Sequence, residues 1–184
     1  RIFQEKTAVD IIEQILGDNQ VSDYTKKLNN SYPPRTYCVQ YRETDFNFIS
    51  RLMEEEGISY YFEHGEGKHT LVLADDASAH TPCPHQEYVR YQLSSGGVLH
   101  DEDLINTLDV RNEIRAGKYS LNDYNFKTPN TRLQVEMDSR QNLGPGEKEF
   151  YDYPGLYEKR ADGDGLVRVR IQEEEAQVAT IRGS

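Results

Sequence analysis

The chain has 184 residues, enough for one sizeable domain or two small ones whose core needs no covalent staples. Against 32 Asp and Glu it carries 21 Lys and Arg, a formal net charge of −11 whose field repels nucleic acid and anionic membrane. Two cysteines do not make a disulfide scaffold, no run approaches the roughly 20 apolar residues that cross a bilayer, and no charged start leads into the apolar core of a signal peptide.

Cys38 and Cys83 are therefore expected as free thiols, and the start at Arg1 rather than methionine is expected to mark a piece of a longer protein. Ala8, Val9, Ile11, Ile12, Ile15 and Leu16 form a helical apolar stripe with Asp10 and Glu13 facing away and Gly17 as the stop. A turn-rich link follows from Asn29 to Pro34, because Pro33 and Pro34 cannot donate backbone hydrogen bonds and disfavour helix before them. Tyr37, Val39 and Tyr41 alternate with Cys38, Gln40 and Arg42, the period of a strand with one buried face. Thr44 or Asp45 then caps a helix carrying Phe46, Ile49, Leu52 and Met53 at spacings of three and four, and Gly57 closes it. Ile58, Tyr60 and Phe62 open a new strand, His64 to Lys68 turn, and Leu71 to Leu73 return as its partner.

Small residues and prolines from Asp75 to Gln86 interrupt every period, which places a domain boundary near Ala79. Short alternating segments at Tyr88 to Leu93, Leu104 to Val110, Gly117 to Leu121 and Thr131 to Asp138 read as antiparallel strands. Leu166 to Ile171 fits a helix running into Glu173 to Glu175, yet Val167, Val169 and Ile171 also alternate as a strand does, and periodicity does not decide between them. The expected fold class is α+β.

Chemistry-bearing groups are sparse. His80, Cys83 and His85 invite a zinc site, but Pro82 and Pro84 extend the loop and no second ligand pair has a zinc spacing, so no metal is assigned. Three adjacent glutamates on a helix point in different directions, so Glu54 to Glu56 and Glu173 to Glu175 read as solvated faces rather than paired catalytic carboxylates. Asp101 to Asp103, and Asp162 with Asp164, lack the calcium-loop pattern. No nucleophile stands in a supporting motif, so no catalytic residue and no cofactor are assigned. Most of the thirteen tyrosines fit strand faces. Tyr151, Tyr153, Pro154 and Tyr157 combine aromatic area with a turn, as an interface anchor does, and a proline-bounded structural turn fits them equally.

Several long blocks in order carry a family resemblance: FQEKTAVDIIEQIL from Phe3, YCVQYRETDFNFISRLMEEEGISYYFEH from Tyr37, HTLVLADD from His69, YSLNDYNFKTPNTRL from Tyr119, FYDYPGLYEKRADGDG from Phe150 and RVRIQEEEAQ from Arg168. Together they closely resemble the VgrG family, the spike proteins at the tip of bacterial type VI secretion machines, related to the hubs of contractile phage baseplates. The resemblance implies a LysM-like α+β module over residues 1–78, followed over residues 79–184 by part of a second, tube-forming antiparallel β-barrel. It implies a mechanical adaptor, homotrimeric at full length, that matches the hexameric rings of the tube protein Hcp. A PAAR-type needle tip and effectors would attach through regions missing here. Assembly in the bacterial cytoplasm, then secretion without a signal peptide, is the implied itinerary; neither catalysis, nucleic acid nor a membrane anchor is implied. The aromatic rings between Phe46 and Phe62 are expected to fill the core rather than to stack on cell-wall sugars. A contractile-phage hub carrying a peptidoglycan hydrolase elsewhere in its chain is the alternative.

Overall fold

In a computed structural model, residues 1–83, 86–92, 103–141 and 148–184 are described. They form two compact units, Arg1–Thr81 and Pro82–Ser184.

The first unit is two helices against a small sheet. Strand β1 (Ile2–Phe3) precedes helix α1 (Ala8–Asp18), whose start is a reciprocal capping box: the Thr7 hydroxyl accepts from the Asp10 N–H and the Asp10 carboxylate accepts from the Thr7 N–H. The predicted stripe on α1 is buried in full. Strand β2 (Tyr24–Lys27) and strand β3 (Cys38–Val39) lead to helix α2 (Asp45–Glu56). Of the two candidate caps, Thr44 is the one used, accepting from the Asn47 N–H, and Gly57 ends α2 at φ 70°, a left-handed geometry that a Cβ would strain. Strands β4 (Ser59–Gly65) and β5 (Lys68–Ala74) make an antiparallel hairpin pairing Gly65 with Lys68, and β2 lies parallel to β5 on its other side, giving the order β2-β5-β4.

The core of this unit holds Ile11, Ile12 and Ile15 from α1, Phe48 and Leu52 from α2, and Leu73 from β5, with Phe3 stacked on Phe48 at 5.6 Å. Two details differ from the sequence reading. The buried member of the strand around residue 38 is Cys38, while Tyr37 and Tyr41 are exposed, because β3 pairs only with the two-residue β1 and no layer covers its tyrosine face. On α2 the fully buried aromatic is Phe48, and Phe46 is outside. The link after β2 is tied down by Asp75 at the end of β5. Its carboxylate accepts from the Asn29 N–H at 2.8 Å, the Asn30 N–H at 2.7 Å and the Tyr32 hydroxyl at 2.8 Å.

Among its described residues the second unit contains three small sheets. Strands β6 (Arg90–Tyr91) and β7 (Leu104–Ile105) pair in parallel. Strand β8 (Leu108–Asn112) pairs antiparallel with the last strand of the chain. Strand β9 (Lys118–Leu121) lies between β10 (Val135–Asp138), antiparallel to it, and β11 (Glu149–Asp152), parallel to it. Helix α3 (Arg160–Ala176) covers this sheet, and strand β12 (Ala179–Gly183) ends the chain. The open choice for this segment resolves as helix: Val167 and Ile171 are buried, while Val169, which a strand would place on the same face, is only half-buried. Leu121, Leu133, Val135, Tyr157 and Val167 make the core.

The pairings of β11 with β9 and of β6 with β7 correct the expectation of purely antiparallel strands. Periodicity marks a strand and its buried face, but strand direction depends on how distant segments meet. Among the described residues these sheets do not close into a barrel. Leu93, Asp101 and Glu102, which figured in the sequence expectations, lie outside the described residues, as do Pro84 and His85.

Candidate functional site

Successive side chains of β4 point to opposite faces, as in any strand. Tyr61 and Glu63 face one side, where Lys27 Nζ donates to both at 2.9 Å and the Tyr61 hydroxyl donates to the Ala79 carbonyl at 2.8 Å. Tyr60, Phe62 and His64 face the other. Because β4 is the sheet edge, its rings overhang the helices instead of being enclosed by them. Phe46 meets Tyr60 edge-on at 6.4 Å, Tyr60 meets Phe62 edge-on at 6.3 Å, and Phe62 stacks on His64 at 6.3 Å.

Phe46, Tyr60 and Phe62 are 58%, 41% and 51% exposed, which corrects the expectation that these rings fill the core. They wall an open groove of about 420 Å³ whose floor is Ile12 and Leu16 of α1, Ile49 and Met53 of α2, and Leu71 and Leu73 of β5. Besides the Tyr60 hydroxyl, the polar side chains that line it are those of Gln20, Ser22, Asp23 and His69. Contiguous exposed apolar surface of this kind marks a contact surface for an apolar group or a partner.

At the tip of the same hairpin His64 pairs directly with His69. Their Nδ1 atoms are 2.7 Å apart, one ring donating to the other, and the rings meet at 75°. The two-residue turn at Glu66 and Gly67 brings them together, so the turn is shorter than the span from His64 to Lys68 expected from sequence, and both end residues of that span lie in strands.

Among the described residues no group of three or more His, Cys, Asp or Glu is arranged to hold a metal. Cys38 is buried and Cys83 exposed, both free thiols. His80 packs against Tyr61 at 5.2 Å. The glutamate runs are engaged by separate partners. Arg35 donates to Glu55 at 2.6 Å and to Glu56 at 2.7 Å, so only Glu54 of that run is a solvated side chain. Glu173 pairs with Arg170, Glu174 with Arg115, and Glu175 accepts from Ser139 and Arg140. Asp162 and Asp164 lie on α3.

The four residues weighed as interface anchors separate into two groups. Tyr151 and Tyr153 are 57% and 55% exposed, and Pro154, exposed beside them, follows a cis peptide bond. Tyr157, by contrast, is only 6% exposed. Its hydroxyl donates to the Leu133 carbonyl at 2.9 Å, and its ring occupies space that Gly155 and Gly163 leave open. Burial, with a smaller contribution from the charge of Asp123, pushes the Tyr157 phenol up to about 12.

Comparison with known proteins agrees along the entire length. The family model described as phage tail baseplate hub (GPD) matches residues 1–184. Two type VI secretion system spike proteins of Pseudomonas aeruginosa are similar to it. VgrG1c is 40% identical over 99% of the chain and 25% of its own length, and VgrG1b is 39% identical over 99% of the chain and 24% of its own length. The chain thus spans about a quarter of the length of these curated relatives. In fold, a 43 kDa tail protein of prophage MuSo2 from Shewanella oneidensis is similar over 99% of the chain and 50% of its own, with a TM-score of 0.60 at 11% identity. No helix among the described residues is long and apolar enough to cross a membrane. The chain belongs to the phage tail baseplate hub (GPD) family and, within it, resembles the VgrG spike proteins of type VI secretion.

Proposed function

We propose that this chain is the base segment of a type VI secretion spike. The observation that carries the reading is similarity of about 40% identity over 99% of the chain to a quarter of the length of spike proteins. In this reading three copies of the full-length protein form a hub that seats on the hexameric rings of the tube protein Hcp. A needle, a PAAR-type tip protein and effectors attach through segments beyond this one. Residues 1–78 serve as the LysM-like α+β module of the hub, and residues 79–184 contribute strands to its second tube-forming barrel. The work is mechanical and not enzymatic: the assembly forms in the bacterial cytoplasm and is then driven out of the cell. Exposed Tyr151, Tyr153 and Pro154 offer aromatic area for a subunit contact.

The alternative, a contractile-phage hub with a peptidoglycan hydrolase elsewhere, draws on the likeness in fold to a prophage tail protein, which at 11% identity speaks to fold alone. A chimera tests the first reading. This segment replaces the corresponding quarter of a P. aeruginosa spike protein, and Hcp is measured in the culture medium. Secretion is expected to persist. A stable, trimeric chimera that leaves the medium empty of Hcp would refute the assignment.

A further inference from the structure

We propose that the β4–β5 hairpin tip is a two-histidine chelate for a divalent late transition-metal ion, held through Nδ1 of His64 and Nδ1 of His69. The two residues are directly paired across the hairpin and their Nδ1 atoms already converge to 2.7 Å. A metal bound by both nitrogens at about 2.0–2.1 Å, with an angle between about 90° and 109°, sets them about 2.9–3.3 Å apart. To admit the ion the pair opens by a few tenths of an ångström and each ring tilts by about 35–45°, so that the lone pairs, which lie along the line between the nitrogens in the hydrogen bond, meet at one point beside it. Stacking on Phe62 at 6.3 Å orients the His64 ring, and the nearby charge of Lys68 is paired with Asp23 at 3.4 Å.

Proton accounting is simple. In the neutral pair one ring carries its proton on Nδ1 and donates it to the lone pair of the other. Binding requires that proton to move to Nε2 of the same ring, which faces away, so both Nδ1 lone pairs reach the metal and no net proton is released. Since no third His, Cys, Asp or Glu completes a cage among the described residues, water fills the remaining positions. Imidazole suits copper, nickel and zinc, and the divalent series places Cu²⁺ tightest. The second histidine binds intramolecularly once the first is engaged, so the pair exceeds either ring alone through effective concentration. The bridge would clip the hairpin shut beside the aromatic groove.

Titration calorimetry of the untagged chain carrying Cys83→Ser, which removes the exposed thiol that would bind and reduce Cu²⁺, with CuCl₂ and NiCl₂ in a non-coordinating buffer is the test. One ion per chain is expected, with Cu²⁺ tighter than Ni²⁺. His64→Gln and His69→Gln should each weaken binding by at least about ten-fold. A control carrying His80→Gln, His85→Gln and His100→Gln should bind as the parent does. Unchanged binding in either hairpin variant, or none in the parent below millimolar metal, overturns the proposal. Should the hairpin variants fail to fold, long-range proton–nitrogen spectra of the parent with Zn²⁺ decide it. Movement of both His64 and His69 Nδ1 resonances supports the chelate, and stationary ones overturn it.

Discussion

Helix α3 contains two glycines, two residues apart, for which replacement by alanine is expected to have opposite signs. An alanine in a helix interior is favoured over glycine by about 0.8–1.0 kcal/mol, because glycine loses more backbone freedom on folding. At Gly165 an added Cβ meets nothing within 4 Å, so Gly165→Ala should realise most of that gain. At Gly163 the added Cβ falls 2.6 Å from Cε2 and 2.7 Å from Cζ of Tyr157. That ring cannot retreat: it is buried, held by its hydroxyl on the Leu133 carbonyl, and faced on the other side by Gly155, where a Cβ would lie 2.3 Å from Cε1. Overpacking of a filled core costs about 1–3 kcal/mol, which exceeds the helix gain. Gly163→Ala is therefore expected to destabilise the second unit by up to about 2 kcal/mol, against a gain of up to about 1 kcal/mol for Gly165→Ala. Urea unfolding followed by far-ultraviolet circular dichroism measures both through the transition of that unit, with the slope unchanged and the midpoint moving down for one variant and up for the other. Equal upward shifts would show that the Tyr157 ring is not wedged between the glycines, and the account of this core would fail.

Tyr157→Phe removes one buried hydrogen bond and should cost about 1 kcal/mol at neutral pH, measured in the same assay. The folded phenol is raised to about 12 from an ordinary value near 10, so its contribution is complete below about pH 10 and is lost as pH climbs toward 12. The parent should accordingly lose more stability than the phenylalanine variant over that interval, and parallel profiles would refute the assignment. Asp75→Asn puts an amide with one acceptor oxygen where a carboxylate gathers two backbone N–H groups and a hydroxyl, and should cost the first unit about 2 kcal/mol by urea unfolding. Burial raises the Asp75 carboxyl, but the Asn29, Asn30 and Tyr32 donors outweigh it and hold the group below the ordinary carboxylate range. Its contribution is thus full above about pH 4 and fades as pH falls through the lower folded value; an unaltered acid midpoint in the variant would count against this.

Local signals in the chain were strong where one stretch contains its own evidence. The α1 stripe, a cap for α2 at Thr44 or Asp45 with its closing glycine, and the β4–β5 hairpin were legible because period, cap and turn chemistry act within a few residues. The blocks that mark the family were legible for the same reason, and they match along the whole length. Strands β1, β2, β11 and β12 were not anticipated, since each is only two to five residues long and exists through a partner far away in sequence. The fate of individual rings was equally hidden. Phe46 and Phe48 are alike in composition and two positions apart on α2, yet one is exposed and the other fully buried. Tyr151 and Tyr157 looked like members of one aromatic cluster, and the fold left the first outside while sealing the second between two glycines. Composition and periodicity state which residues can be buried or ringed around a turn. Which of them are buried, which direction a strand runs and which two imidazoles meet depend on distant segments packing together, and only the tertiary structure decides that.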